Sequence, residues 1–400
     1  MRFLGYLRPD GSVGIRNYVL VLPATRLCYL MAHRIGQAVT NTKTFITTGE
    51  YGRHKRDRQS LMRMLVGLAR NPNVAATVLL GVREGYGYPE FQFSSLIPRI
   101  ASTGKPLVAI SADDEGGLHR AVEKGIIEAR RLVHEASALR REPFPLEKLT
   151  VGVKCGSSDP TSGISGNPSF GNLVDRLVGM GGTAIFSETV EIIGAEDVLA
   201  QRAVNQRVAD DLYRVVRRAE ERAAGIGEDI RTINPIPENI AAGITTLEEK
   251  SLGAIAKSGT SPLQGVLEYC RQPSGKGLYF MDGWMSSLSL PVSLAAAGCQ
   301  MVFYQLGGQD LSNVDPPLYA YNSGLVAPLV LITGNPLTYQ KAGKDIDMCT
   351  VGVLSGKQSI EEAGEDLLKL AADIASGTMA KGETVNFADP LEVFFEGPVL

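Results

Sequence analysis

Residues 150–171 read TVGVKCGSSDPTSGISGNPSFG, and this stretch decides the fold. Residues 151–154 form a short apolar strand, and residues 155–166 form a loop rich in glycine, serine and aspartate. Asn167-Pro168 suits a helix start, because asparagine caps free N–H groups and proline fits the first turn. That helix is expected to stop at Gly181-Gly182, and a second strand follows at residues 184–187. Strand, polar loop, helix and strand in this order make the repeating unit of a parallel α/β sheet.

The same rhythm extends in both directions. Upstream, strands are expected at residues 18–22, 44–48, 76–80 and 107–111, with helices at 27–39, 57–69 and 118–136. Asp10-Gly11 reads as a turn between two short strand-like pieces. Residues 137–148, rich in charge and proline, read as a linker. Downstream, residues 195–224 and 360–374 read as helices, and 277–281, 301–305 and 329–333 as strands. The expected architecture is α/β, with two Rossmann-like three-layer units on mainly parallel sheets, over residues 1–140 and 150–400.

Composition narrows the function. The 400 residues are 44% hydrophobic and 21% charged, enough for two or three cored domains. A net charge of -3 gives no reason to expect a nucleic-acid or anionic-membrane partner. No apolar run approaches a membrane span, and the first residues lack a secretory core. The five cysteines (Cys28, Cys155, Cys270, Cys299, Cys349) are scattered, which argues for a reducing compartment. A cytoplasmic homo-oligomer is expected.

Ligands of open α/β sheets sit beyond the carboxyl ends of strands. The densest polar cluster at such an end is Cys155, Ser157, Ser158 and Asp159, followed by Ser162 and Asn167. It can be a substrate loop that favours an anion, or a plain βα turn. Glu188, Glu191 and Glu196 follow the next strand. They can act as acid, base or cation ligands, although Glu196 also suits a helix N-terminus. Thr245 to Glu248 fits a Thr-x-x-Glu capping box. Asp282, Asp345 and Asp347 are loop acids at or near strand ends. There is no nucleophile elbow, zinc-protease helix, phosphate loop or dinucleotide fingerprint. The four histidines (His33, His54, His119, His134) lack ligand spacing, and His54 alone lies just past a strand end beside Arg53.

The motifs resemble a known family. The opening Gly5-Tyr6 through Arg16-Asn17-Tyr18, the block from Cys155 to Gly171, SETVEIIGAED from Ser187, GITTLEEKSLGAIAKSGTSPL from Gly243 and Lys344-Asp345-Ile346-Asp347 are similar to the large region of altronate and galactarate dehydratases. The large subunit of sulfolactate sulfo-lyase is similar as well. The resemblance covers nearly the whole chain and implies a carbon–oxygen lyase acting on a hydroxylated carboxylate such as a sugar acid. It implies a metal-dependent, usually iron-dependent, step. Cys155, Asp159, Glu188 and Glu191 become the catalytic candidates. Arg16, Asn17, Arg53, His54, Ser157, Ser158, Ser162, Asn167, Thr245 and Thr246 become substrate contacts.

The sequence departs from the family pattern at several places. Arg53 stands where a cysteine usually follows Tyr-Gly, and Gly81-Val82-Arg83-Glu84 lacks another. Lysines expected near Ile240 and Leu331 are absent, and Gln305-Leu306-Gly307 replaces Thr-Gly-Arg. The small N-terminal domain of the full-length dehydratases has no counterpart, so a small partner subunit, or none, is expected. Arg53 and Glu84 are expected to pair near Cys155 in place of an iron–sulfur cluster. Any metal would then be a hard divalent cation on Asp159 and Glu188. Ser157, Ser158, Asp159 and Asn167 are expected to share a pocket with Glu188 and Glu191. An iron-free isomerase or epimerase and a non-catalytic paralogue subunit are the competing readings.

Overall fold

The computed structural model describes residues 1–46, 49–308, 322–385 and 391–397. The chain opens with a hairpin of β1 (Arg2–Leu7) and β2 (Val13–Gly14), with Tyr6 opposite Gly14 and Leu7 opposite Val13. Gly11 takes a φ of 79°, a turn conformation that glycine adopts without strain. A four-stranded sheet follows, built from β3 (Tyr18–Pro23), β4 (Thr42–Thr44), β5 (Val74–Gly81) and β6 (Leu107–Ser111). Its order is β4-β3-β5-β6 and every pair is parallel. β7 (Glu142–Pro145) returns antiparallel to β1.

The larger sheet holds β8 (Thr150–Gly156), β9 (Thr183–Ser187), β10 (Leu263–Leu267), β11 (Gly277–Met281), β12 (Met301–Leu306), β13 (Leu329–Thr333) and β14 (Met348–Cys349). Its order is β10-β11-β9-β8-β12-β13-β14, parallel throughout. The chain builds outward from β8 in one direction through β9, then crosses back to start again at β12. The topological switch point therefore lies between β8 and β12, where such sheets open a ligand crevice.

β5, β9, β11, β12 and β13 are buried along their whole length, which is why they read as unbroken apolar runs rather than alternating ones. One core lies on the outer face of the large sheet, under the helices Asn167–Gly179 and Ile360–Ala375. A second core joins the two parallel sheets through the helices Lys55–Arg70 and Ser289–Ala296. These helices pack so closely that a Cβ on Gly67 would lie 2.3 Å from the Ala296 carbonyl oxygen. Two buried asparagines add polar ties. The Asn71 amide donates to the Ala295 and Cys299 carbonyls at 2.7 and 2.9 Å, and Asn73 donates to Gln300 and Val326 at 2.7 and 2.9 Å. Leaving one such group unpaired costs about 1–3 kcal/mol.

Several expectations are corrected. The linker contains β7, because its Pro-Phe-Pro run is extended and can pair at an edge. The strand read at 44–48 is Thr42–Thr44, with Thr47 and Thr48 outside the described residues. The single helix read at 195–224 is two, Glu196–Ala200 and Gln206–Ala224, broken where Asn205 caps the second. Asn167 does not cap its helix, because a π-helical turn, Ser162–Gly166, runs straight into Asn167–Gly179. Thr246, not Thr245, caps Leu247–Ile255 by accepting from the Glu249 N–H at 3.1 Å.

Candidate active site

β8 and β9 end side by side, and the residues leaving them meet in one buried cluster. Lys154 stands within the buried run of β8, where an unpaired ammonium would be expensive. Its Nζ donates to Glu188 Oε2 at 2.8 Å and to the Cys155 carbonyl at 2.7 Å. Lys257 Nζ donates to Glu191 Oε2 at 2.5 Å and to Cys155 Sγ at 3.3 Å. The Cys155 thiol donates to the same Glu191 oxygen at 3.3 Å. All five residues are buried, none more than 3% exposed. Lys250 lies beside them, donating to Asn234 Oδ1 at 2.6 Å and Asn239 Oδ1 at 3.1 Å. Asn239 in turn donates to the Ser158 carbonyl at 2.9 Å, which ties the loop after β8 to this lysine.

The backbone at Glu188 is held in an unfavourable shape. It follows β9 with φ 89° and ψ 87°, a left-handed conformation that costs a residue with a side chain about 1–3 kcal/mol. The next residue clamps it there. Thr189 N–H donates to the Gly283 carbonyl at 3.0 Å, and its hydroxyl donates to Asp282 Oδ1 at 2.5 Å while accepting from Gly283 N–H at 3.2 Å. Arg218 pairs with the other oxygen of Asp282. Such strain persists only where the surroundings over-determine it, as they do here.

Electrostatics split the two glutamates. Burial raises the Glu188 pKa and Glu191 raises it further, against the pull of Lys154. Burial also disfavours the Glu191 anion, but Lys257 followed by Lys154 and Lys250 outweighs it and drives its pKa down. Burial lowers Lys154 and Lys257 less than the neighbouring acidic groups, chiefly Glu188 for the first and Cys155 and Glu191 for the second, raise them. Burial pushes the Cys155 thiol up. The cluster thus holds two firmly charged ammonium groups, one firmly charged carboxylate, and one carboxylate whose proton affinity is raised. Glutamates with opposed pKa shifts in one site are a signature of acid–base chemistry.

Of the residues expected in the site, Cys155, Glu188 and Glu191 meet as described. Ser157 has a φ of 50° at the end of β8, and Ser158 is joined to the cluster through Asn239. Asp159 accepts from Thr161 and Ser162 on one oxygen, at 2.6 and 3.0 Å, and from Asn335 on the other at 2.6 Å. Asn167 donates to the Gly253 carbonyl at 2.9 Å.

The remaining expected contacts have other partners within the protein. Arg16 spends all five donors inside the protein, on Glu383, Ile15, Ile374 and Thr378. Asn17 bridges Arg8 and Ala136. His54 caps the helix Lys55–Arg70 and pairs with Asp57 at 3.1 Å. Arg53 does not pair with Glu84: its guanidinium lies 3.9 Å from the centre of the Phe395 ring, and Glu84 instead accepts from Ser94 on the exposed surface. Stacking on an aromatic face and a nearby hydroxyl are simply closer partners than each other. Thr245 binds Glu249 at the surface. Asp347 accepts from the Leu331 and Lys381 N–H groups, both at 2.8 Å.

Asp159 and Glu188 do not make a cation site as folded. Glu188 is committed to an ammonium and both Asp159 oxygens to protein donors. No group of three His, Cys, Asp or Glu among the described residues is placed to hold a metal ion. The sequence reading missed Lys154, Lys250 and Lys257. Lys154 carried a usable signal, being a charge inside an otherwise apolar strand.

Fold and site together define an α/β protein with a buried cluster of lysines, glutamates and a cysteine at the carboxyl ends of its central strands. The chain belongs to the D-galactarate/altronate dehydratase family: the family's C-terminal region matches residues 146–394 and its second domain residues 5–137. It is similar to the (2R)-sulfolactate sulfo-lyase subunit beta of Chromohalobacter salexigens, 32% identical over 96% of this chain and 95% of that protein. It is also similar to the altronate dehydratase of Bacillus subtilis, 28% identical over the whole of this chain and 78% of the relative. The galactarate dehydratase (L-threo-forming) of Escherichia coli is 29% identical over 79% of this chain and 59% of its own length. The family is one of lyases. No described helix is long and apolar enough to cross a membrane.

Proposed function

We propose that this protein is a lyase for a small hydroxylated carboxylate, and that it removes the proton next to the carboxylate with Glu188. The observation that carries this is the buried pairing of Lys154 with Glu188 and of Lys257 with Glu191 and Cys155. A carboxylate of raised pKa is a better base than an ordinary one, and its protonated form is a better-matched acid near neutral pH. The C–H bond adjacent to the substrate carboxylate breaks, and its electron pair forms the new C=C bond. The leaving group on the next carbon departs with the electron pair of its own bond. Lys154 and Lys257 stabilise the enolate-like charge, since fixed ammonium groups in a dry site act far more strongly than in water. In this reading Lys257 supplies the proton that a departing hydroxide takes up. No step here is routed through a metal.

An isomerase or epimerase would use the same proton abstraction and expel nothing. The observation favouring it is that Glu188 and Glu191 stand in one cluster with proton affinities driven apart, the pair that abstraction and return of a proton would use. A small partner subunit is part of the proposal, because the sulfo-lyase relative is itself named as a subunit beta. The test is turnover of D-altronate, D-galactarate and (2R)-sulfolactate by wild type and Glu188→Gln, with product, released sulfite and proton exchange all followed. Elimination from one acid by wild type, lost in Glu188→Gln, supports the lyase. Exchange or epimerisation without elimination supports the isomerase. Elimination that survives in Glu188→Gln contradicts both.

A further inference from the structure

Gln305, near the end of β12, lies directly across the topological switch point from Cys155 on β8, in parallel register. Alternation along β12 sends Phe303 to the outer core and Tyr304 and Leu306 to the inner one, so Gln305 shares the outer face with Phe303. Cys155 shares that face with Val153, and adjacent strands lie about 4.8 Å apart. The Gln305 side chain is fully buried, and among the described residues neither its Oε1 nor its Nε2 has a hydrogen-bond partner. It packs over the π-helical turn Ser162–Gly166, where a Cβ on Gly166 would lie 2.4 Å from Gln305 Cγ. π-helical turns of this kind occur often at functional sites. Asn167 Oδ1, on the residue after that turn, is also buried without a partner.

A buried amide with both ends unpaired is a cost that folding alone does not explain. We propose that Gln305 is a specificity-determining residue that receives a hydroxyl of the bound substrate. This rests on the acid–base site described above. The chemistry of the amide selects the group. A carboxylate only accepts, so it would use the NH2 and leave the carbonyl oxygen unpaired, whereas a hydroxyl donates to the carbonyl and accepts from the NH2. The charged end of the substrate is left to Lys154 and Lys257, which meet at Cys155. A site built to hydrogen-bond a hydroxyl rejects the analogue that lacks it.

Gln305→Met keeps the volume and removes both polar atoms. Calorimetric titration with D-altronate, D-galactarate, (2R)-sulfolactate and their mono-deoxy counterparts measures hydroxyl selectivity, and thermal unfolding of the ligand-free protein reports the fold. Wild type is expected to prefer a hydroxylated acid over one deoxy counterpart by roughly tenfold or more, and Gln305→Met to lose that preference, mainly by weaker binding of the hydroxylated acid. The ligand-free variant is expected to melt above wild type, because an unpaired amide has been removed. Preserved hydroxyl selectivity in Gln305→Met overturns the proposal. So does a melting temperature no higher than wild type, which would mean that the amide is satisfied within the free protein. Binding with no effect of Glu188→Gln on turnover would overturn the acid–base reading and leave the Gln305 result standing. If wild type binds none of these acids, the function proposed above fails, and a melting temperature no higher in Gln305→Met then overturns the Gln305 reading as well.

Discussion

Arg16 and Lys154 are both buried cations facing a glutamate, yet they belong to different parts of the molecule's physics. Arg16 meets Glu383 through two bonds of 2.7 and 2.6 Å and spends its other donors on three backbone carbonyls. Nothing is left over. Lys154 meets a glutamate with a left-handed backbone, next to a second glutamate, a thiol and another lysine. Charges there are paired but crowded, and proton affinities are driven apart. A saturated ion pair fastens a fold, whereas a crowded one is poised to exchange a proton.

Breaking each pair should have opposite consequences. Lys154→Met is expected to lower the rate by about 10²–10⁴, because it removes both the electrostatic support and the partner that orients the base. Steady-state kinetics with whichever acid is turned over checks this. Arg16→Met is expected to cost about 3 kcal/mol of stability, since the part-buried Glu383 loses its cation and keeps only Tyr18 and the Ala380 N–H as donors. Its rate per folded molecule should stay at the wild-type value, with denaturant unfolding and active-site titration as the two readouts.

The same contrast explains what could be read from sequence. Strands 277–281 and 329–333 were legible to the residue, because fully buried parallel strands leave unbroken apolar runs, and 107–111 was legible from its short apolar run although only Ile110 and Ser111 are buried. Cys155, Glu188 and Glu191 were legible as polar residues at strand ends. Lys257 was not: it follows an apolar helix and reaches Cys155 across 102 residues of sequence, a distance that no local pattern encodes. Arg16 looked functional because it sits in a motif, and only the complete set of its partners reveals a structural role. Gln305 was legible as a departure from the family pattern but not as an unpaired amide, which depends on everything packed around it.

The pH dependence sharpens the comparison. Glu188 has a folded pKa raised above its unfolded value, so between those values the folded chain binds the extra proton. Its contribution to stability therefore falls as pH rises through that window. As a base it must be ionised, so the acidic limb of the kcat/KM profile should lie above the ordinary carboxylate range. Glu191→Gln removes one of the two causes of the shift and leaves burial, the larger. The limb is expected to move to lower pH without reaching the ordinary value, as a pH–rate profile would record. Arg53→Ala should have the smallest effect, about 0.5–1 kcal/mol from the lost Phe395 contact, with no change in the pH profile. Chemical denaturation checks it.

The most direct measurement is hydrogen exchange at the substrate carbon. An acid that the wild type turns over is incubated in D2O, and the C–H next to its carboxylate is followed by proton NMR in wild type, Glu188→Gln and Arg16→Met. Loss or exchange of that hydrogen is expected with wild type and with folded Arg16→Met, and neither with Glu188→Gln. Loss or exchange at the wild-type rate in Glu188→Gln would contradict the assignment of Glu188 as the base.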